Sequence, residues 1–304
     1  MSPLRRVVDI VGRVLIGAGI VLLLFTAYQI WGTSIQESRT QAGLRTQLQQ
    51  ESNNQLIRHA LAEEAALNRL PTGPPENAPR TNAPPEGDPI GYIRIPKIGI
   101  NQVVVEGTNT PDLRKGPGHY TGTPLPGQGG NVAVAGHRTT YGHPFYNLDS
   151  VKIGDPIVLT TLQGIFVYDA TKSFVVSPSD TSVIRNVFAN ILTLTTCNPR
   201  FSASTRLVVQ GKLVHSQLFL NSGLPAARLH ADPQSGELAG NSDVQLTNTL
   251  FWGFVAVVVG AGILYLAHRY RRRRWVIYGV GVVGMLVLLW FFFGAVSPLL
   301  PASF

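Results

Sequence analysis

Cysteine is nearly absent: one residue, Cys197, stands in 304. No internal disulfide can form, and no cysteine-rich zinc site can be assembled. Such a thiol is either a used nucleophile or a buried, inert side chain. Charge is also scarce, at 14% of residues, and acidic residues are the rarer sign, 17 against 25 Lys and Arg. The resulting net charge of +8 would suit a nucleic-acid surface, but its placement argues against one. Arg5, Arg6 and Arg13 flank one long apolar run, and Arg269 and Arg271 to Arg274 lie between two others. Basic residues in those positions mark the faces of a membrane, so no nucleic-acid partner is expected. No phosphate-binding loop occurs either. Gly127, Gly129 and Gly130 follow Pro124 and Pro126 in a turn, with no helix behind them.

What is present is sharply segmented. Residues 1–32 hold the first apolar run, Val14 to Trp31, which is uncharged and long enough to span a bilayer. A cleaved signal peptide is the rival, but the run is long for a signal core and no Ala-x-Ala site closes it. Residues 33–89 read as a stalk and linker. Leu44, Leu48, Leu56, Ile57, Leu61 and Leu67 give an intermittent helical stripe, with a solvated spacer as the alternative. Pro71 to Pro89 is dense in Pro, Gly and Asn, a composition expected to form an extended, semi-stiff linker.

Residues 90–215 change texture. Short Val/Ile/Leu/Thr runs alternate with Gly and Pro turns, at Tyr92–Ile95, Ile100–Val105, Val132–Ala135, Ile157–Leu162, Ile165–Val176, Ile191–Thr196 and Leu207–Val214. Seven or so strands at this spacing predict an all-β barrel or sandwich, with short helical pieces near Phe145–Leu148 and Ser182–Phe188. Residues 216–247 return to linker character, and 248–304 form a hairpin of two apolar spans, Leu250–Ala267 and Trp275–Val296. The N-terminal arginines and the Arg269–Arg274 turn agree on one topology: both cytoplasmic, with the β domain outside. Gly253, Gly260, Gly262, Gly279, Gly281 and Gly284 could let the hairpin dock a membrane protein or self-associate, beside the simpler reading of plain anchoring.

Two segments carry chemistry. In Ile191-Leu-Thr-Leu-Thr-Thr-Cys197 a β-branched strand delivers the thiol to its end, and after a short loop a second strand opens at Arg206. A guanidinium beside a thiol favours the thiolate and can stabilise an oxyanion. In Asn131-Val-Ala-Val-Ala-Gly136-His137 an apolar strand ends on a histidine suited to proton transfer. His119 and His143 remain rivals to His137, whereas His59, His215, His230 and His268 lie in stalk, domain edge, linker and hairpin turn. Cys197 and His137 would make half a zinc site, but ligand spacing is missing elsewhere, and no metal or cofactor is expected.

Those segments, with the opening Gly91-Tyr-Ile-Arg-Ile-Pro-Lys-Ile98, resemble the sortases in motif order over residues 88–215. Thr193-Leu-Thr-Thr-Cys197, Ala135-Gly-His-Arg-Thr-Thr140 and Gly116-Pro-Gly-His-Tyr120 look most like class E of high-GC Gram-positive bacteria. The three transmembrane helices are read from the apolar runs, and the C-terminal hairpin is not explained by the resemblance. The resemblance implies a closed β-barrel of about seven to eight strands. It implies a cysteine transpeptidase in the cell membrane that cleaves a Leu-Pro-x-Thr-Gly or Leu-Ala-x-Thr-Gly sorting signal of a secreted protein. Cys197 would form the thioester, His137 would move protons and Arg206 would hold the oxyanion. An amine of the cell wall or of a pilin would resolve the intermediate. Tyr120 matches a position that contacts the substrate, and Thr196 one that supports oxyanion or substrate. Some sortases bind calcium, but Asp149, Asp155, Asp169 and Asp180 are scattered and read as turn and cap residues. A pilin-polymerising class C enzyme and a non-catalytic membrane scaffold are the alternatives; the absence of an aromatic beside Asp88 speaks against a class C lid.

Overall fold

A computed structural model of the chain describes residues 3–51, 70–219 and 246–297. Two compact units emerge, one from Met1–Gly32 with Ser242–Pro301, the other centred on Thr33–Asn241. Most of the linker 216–247 lies outside the described residues, as do Leu56, Ile57, Leu61 and Leu67 of the stripe, His59 and His230.

The second unit is built on eight strands: β1 (Pro89–Ile95), β2 (Ile100–Glu106), β3 (Gly118–His119), β4 (Gly130–Ala135), β5 (Pro156–Thr161), β6 (Gly164–Val176), β7 (Asn190–Asn198) and β8 (Thr205–Leu218). They close into a barrel in the order β1-β2-β3-β4-β7-β8-β6-β5, the closed barrel that the resemblance implies. All seven strands expected from alternation are present; the addition is β3, two residues long and too short to show a period. The expected helical pieces are 3₁₀ turns at Leu148–Ser150 and Thr181–Ile184.

Period-two alternation sorts the side chains. Val132 and Val134 of β4, Leu192 and Leu194 of β7, and Leu207 and Val209 of β8 join the barrel core with Phe145, Phe166 and Tyr168. The intervening Ala133, Ala135, Cys197 and Val208 lie in a second cluster with Tyr120, Val183 and Ile184. The same alternation that fills the core therefore puts Cys197 on the outward face.

The described parts of the stalk, Thr33–Glu51, and of the Pro-rich linker lie on the barrel. The Pro-rich stretch is held through its backbone. The Ala78 N–H donates to Gly127 O at 2.9 Å, Gln163 Nε2 donates to Pro79 O at 2.6 Å, and Glu76 N–H donates to Ser216 Oγ at 2.6 Å. Proline removes donors but not carbonyls, so such a strap can dock by accepting hydrogen bonds. The helix Thr33–Glu51 packs Leu44 and Leu48 onto Tyr92, Val103 and Val105.

Gln41 fastens this helix. Its Oε1 accepts from Val103 N–H at 2.7 Å, while Nε2 donates to Val103 O at 3.0 Å and to Lys115 O at 2.8 Å. The amide thus pairs with β2 as a neighbouring peptide would. A Cβ on Gly116 would come within 2.2 Å of Gln41 Nε2, so glycine is what admits the amide. Gln41→Leu should cost about 2–4 kcal/mol, since it strands three buried backbone groups. The check is thermal unfolding of the purified full chain, with the midpoint falling by roughly 5–10 °C; an unmoved midpoint refutes the role.

The first unit holds Pro3–Ala27, a π-helical turn Tyr28–Gly32, Leu246–Arg269 and Arg274–Val296. Three helices, counted among the described residues, are long and apolar enough to cross a membrane. Trp252 stacks on Phe291 at 5.0 Å, and Gly281, Gly253 and Gly260 receive Ile263, Phe292 and Met285. Three of the six glycines noted above thus serve packing within the hairpin, while a Cβ on Gly262, Gly279 or Gly284 would meet open space. The first helix meets the hairpin through Phe25–Phe293 and Tyr28–Trp290 ring contacts.

Candidate active site

Two strand registers assemble the site. β7 and β8 are antiparallel with Cys197 directly opposite Arg206. Facing residues of such a pair put their side chains on the same side, with Cβ atoms about 5 Å apart. β4 and β7 are parallel, Ala135 beside Thr195. The Gly136 N–H continues the ladder to Thr195 O at 3.1 Å, so the next residue, His137, is level with Cys197. Residues from three strand ends, 60 and 9 positions apart in sequence, thereby share one rim of the barrel.

All three are buried, at 2% exposure for Cys197, 3% for His137 and 5% for Arg206. Burial pushes the Cys197 thiol up to about 11, while the guanidiniums of Arg206 and Arg138 pull it back down. Desolvation outweighs both cations because a thiolate loses its hydration there. The site therefore rests as a neutral thiol beside stored positive charge. Arg206 is held in place by its own turn, Nη1 donating to Ala203 O at 3.0 Å.

Arg138 follows the candidate acid–base directly in the sequence, where nothing distinguishes it from a surface arginine. Its Nη1 donates to Cys197 O at 3.0 Å and to Asn198 Oδ1 at 2.9 Å, and its Nη2 pairs with Asp149 Oδ2 at 3.0 Å. One buried guanidinium thus ties the histidine loop to the backbone of the cysteine. Asp149 lies in the 3₁₀ turn Leu148–Ser150, as read from the sequence, and in addition accepts from both Arg138 and Arg200. Asp155 and Asp180 do serve a turn and a cap, accepting from Lys152 N–H and Ser182 N–H. No group of three potential metal ligands occurs among the described residues.

Thr196 Oγ1 donates to Gly136 O at 2.7 Å, a second tie between the cysteine strand and the histidine loop. Tyr120 OH and Thr195 Oγ1 share a hydrogen bond at 2.8 Å, and the ring packs in the cluster that contains Cys197. Of the rival histidines, His119 is fully buried, its Nδ1 bonded to Glu106 Oε2 at 2.8 Å and its Nε2 near Pro124 O at 3.0 Å. His143 is exposed and set edge-on to Tyr146. The geometry leaves His137 as the histidine at the cysteine's rim.

The Sortase domain family matches residues 93–214. Sortase SrtE1 of Streptomyces coelicolor is 30% identical over 224 residues, which is 68% of this chain and 57% of that protein. The chain thus spans little more than half the length of that relative. Sortase D of Bacillus subtilis is 37% identical over 136 residues, 43% of this chain and 67% of that protein. The solved structure of sortase E from Streptomyces avermitilis shares 39% identity, covers 47% of this chain and 97% of its own, and superposes with a TM-score of 0.42.

Proposed function

Because this chain belongs to the sortase family of cysteine transpeptidases, we propose that it cuts a Leu-Pro-x-Thr-Gly or Leu-Ala-x-Thr-Gly sorting signal between Thr and Gly and joins the new end to an amine. The observation that carries the reading is the β7–β8 register that sets Cys197 opposite Arg206, with His137 level on the neighbouring strand.

Cys197 Sγ attacks the Thr carbonyl carbon as the thiol proton passes to His137. The oxygen gains charge, which Arg206 stabilises by its fixed cation. Collapse breaks the C–N bond, and His137 returns the proton to the departing glycine amine. A thioester now holds the acyl fragment. An incoming amine gives its proton to His137, attacks the thioester carbon and expels the sulfur, which recovers a proton. One amide replaces another, so no energy source is consumed. Tyr120 and Thr195 form the wall along which the residues before Thr lie, and Thr196 keeps the histidine loop against the cysteine strand.

Three helices long and apolar enough to span a bilayer support the reading of a multi-pass protein of the cell membrane. Arg5, Arg6 and Arg13, with the Arg269–Arg274 turn, lie on the cytoplasmic side, and the barrel is outside. Its substrates are secreted proteins bearing the signal, and the acceptor is a cell-wall precursor or pilin amine reached at the membrane surface. Intact mass spectrometry of the detergent-solubilised chain mixed with the two peptides tests this. An added mass equal to the acyl fragment, lost in Cys197→Ala, is the expected result. A folded chain with no adduct from either peptide would overturn it.

A further inference from the structure

The loop after His137 has an unusual backbone. Tyr141, Gly142 and His143 all have positive φ, at 47°, 71° and 40°. Two of these are not glycine, and side chains crowd the backbone in the left-handed region, so such a turn persists only where its surroundings hold it. Phe145 supports one end, its N–H donating to His137 O at 3.1 Å. The other support comes from far away in sequence. The Tyr141 N–H donates to Thr33 Oγ1 at 3.1 Å, and Thr33 is fully buried. One turn on, Glu37 lies against Gly142, where a Cβ would approach Glu37 Oε2 to 2.5 Å. Burial pushes the Glu37 carboxyl up to about 7, against the pull of Arg45 on the same polar helix. A carboxyl that can take up a proton near neutral pH can sit against this turn without a full buried charge. Tyr141 in turn lays its ring beside the His137 imidazole, centroids 5.0 Å apart and planes inclined by 37°, with Arg114 over its own face at 5.5 Å.

The chain of contacts thus runs from the first turn of the Thr33–Glu51 helix, through the Tyr141 turn, to the imidazole. We propose that Thr33 is a positioning residue for catalysis: the membrane-proximal helix holds the Tyr141–His143 turn, and through the Tyr141 ring it fixes the His137 imidazole for proton transfer. Thr33 touches no reacting atom. Its hydroxyl acts by accepting the one backbone N–H that sets the turn's height, and Gln41 anchors the same helix to β2 so that the height is constant. In sequence the helix follows the apolar segment that ends at Trp31.

This inference rests on the transpeptidase reading, and the two can fail separately. The full chain in detergent is assayed with sorting-signal peptide and an amine acceptor, as native, Thr33→Val and Thr33→Ser. If the native chain forms no acyl-enzyme, the transpeptidase reading falls. If it does, Thr33→Val, equal in shape but without the acceptor, should lose about tenfold in kcat with KM within about twofold, the size expected of a small misplacement of a proton-transfer group. Thr33→Ser, which keeps the oxygen, should recover kcat to within about twofold of native. A native kcat in Thr33→Val, or an equal loss in Thr33→Ser, overturns the proposal. Should Thr33→Val fail to fold, Tyr141→Leu decides: it removes the ring beside His137 but keeps the backbone N–H that Thr33 accepts, so kcat should fall by about tenfold with KM within about twofold, and a native kcat overturns the proposal.

Discussion

The thiolate absorbance of the native chain, read as a difference from Cys197→Ala, should stay at baseline through neutral pH and reach half its height near pH 11. At pH 8 the ionised fraction is then about 10⁻³, roughly a hundredfold below that of an ordinary cysteine. The cause is burial, which removes the water a thiolate needs, with Arg206 and Arg138 recovering only part of the loss. The sign for stability follows. The unfolded thiol ionises near 9, before the folded one, so between about pH 9 and pH 11 the unfolded state binds fewer protons. Stability present below pH 9 is therefore lost as pH rises, by about 3 kcal/mol over that window. A half-height near pH 7 would mean instead that the cations dominate and that the resting site is an ion pair.

Arg206→Met should slow acyl-enzyme formation by about 10²–10³-fold, the usual cost of removing an oxyanion donor from an enclosed site. The guanidinium faces Cys197 across the ladder and is oriented by Ala203 O and Thr205 O. Its remaining N–H groups are thus aimed by the fold rather than by substrate. Rapid quenching with mass detection of the acyl-enzyme gives the rate. Arg206→Lys should regain no more than about tenfold, because an ammonium restores charge but not the planar fork. The methionine variant should also move the thiolate titration to higher pH, since one of the two cations that lower it is gone. A variant that keeps native acylation would remove Arg206 from the chemistry and leave it as a turn clamp.

The barrel was legible because its strands alternate: Val132, Val134, Leu192 and Leu194 point to the core and their neighbours do not. The candidate nucleophile, acid–base and cation were legible because each stands at a strand end in a recognisable motif. The docked helix was hidden for a physical reason. Its buried face is Thr33, Glu37, Gln41, Leu44 and Leu48, spaced as one helical stripe but polar over its first three members. Hydropathy sees only the two leucines, and hydrogen bonds to β2 and to the Tyr141 turn replace apolar contact elsewhere. The Pro-rich strap was hidden likewise, because its attachments are main-chain N–H and carbonyl groups that carry no side-chain signature. Arg138 and Asp149 show a third limit. They were in view, but a bracing ion pair and two surface charges have the same composition.

The parallel pairing of β4 with β7 has a kinetic consequence. Between these partners the chain must make β5 and β6, and the barrel closes only when β5 returns to β1. Contacts this distant in sequence are slow to form. His137 and Cys197 become level only when β4 meets β7, so the candidate catalytic pair depends on that distant pairing. Until then the thiol keeps its ordinary acidity and is open to alkylating reagents, and on closure it becomes buried and nearly un-ionised. The single cysteine is thereby a built-in clock for folding: pulses of a thiol reagent during refolding would label chains that have not yet closed the barrel and spare those that have.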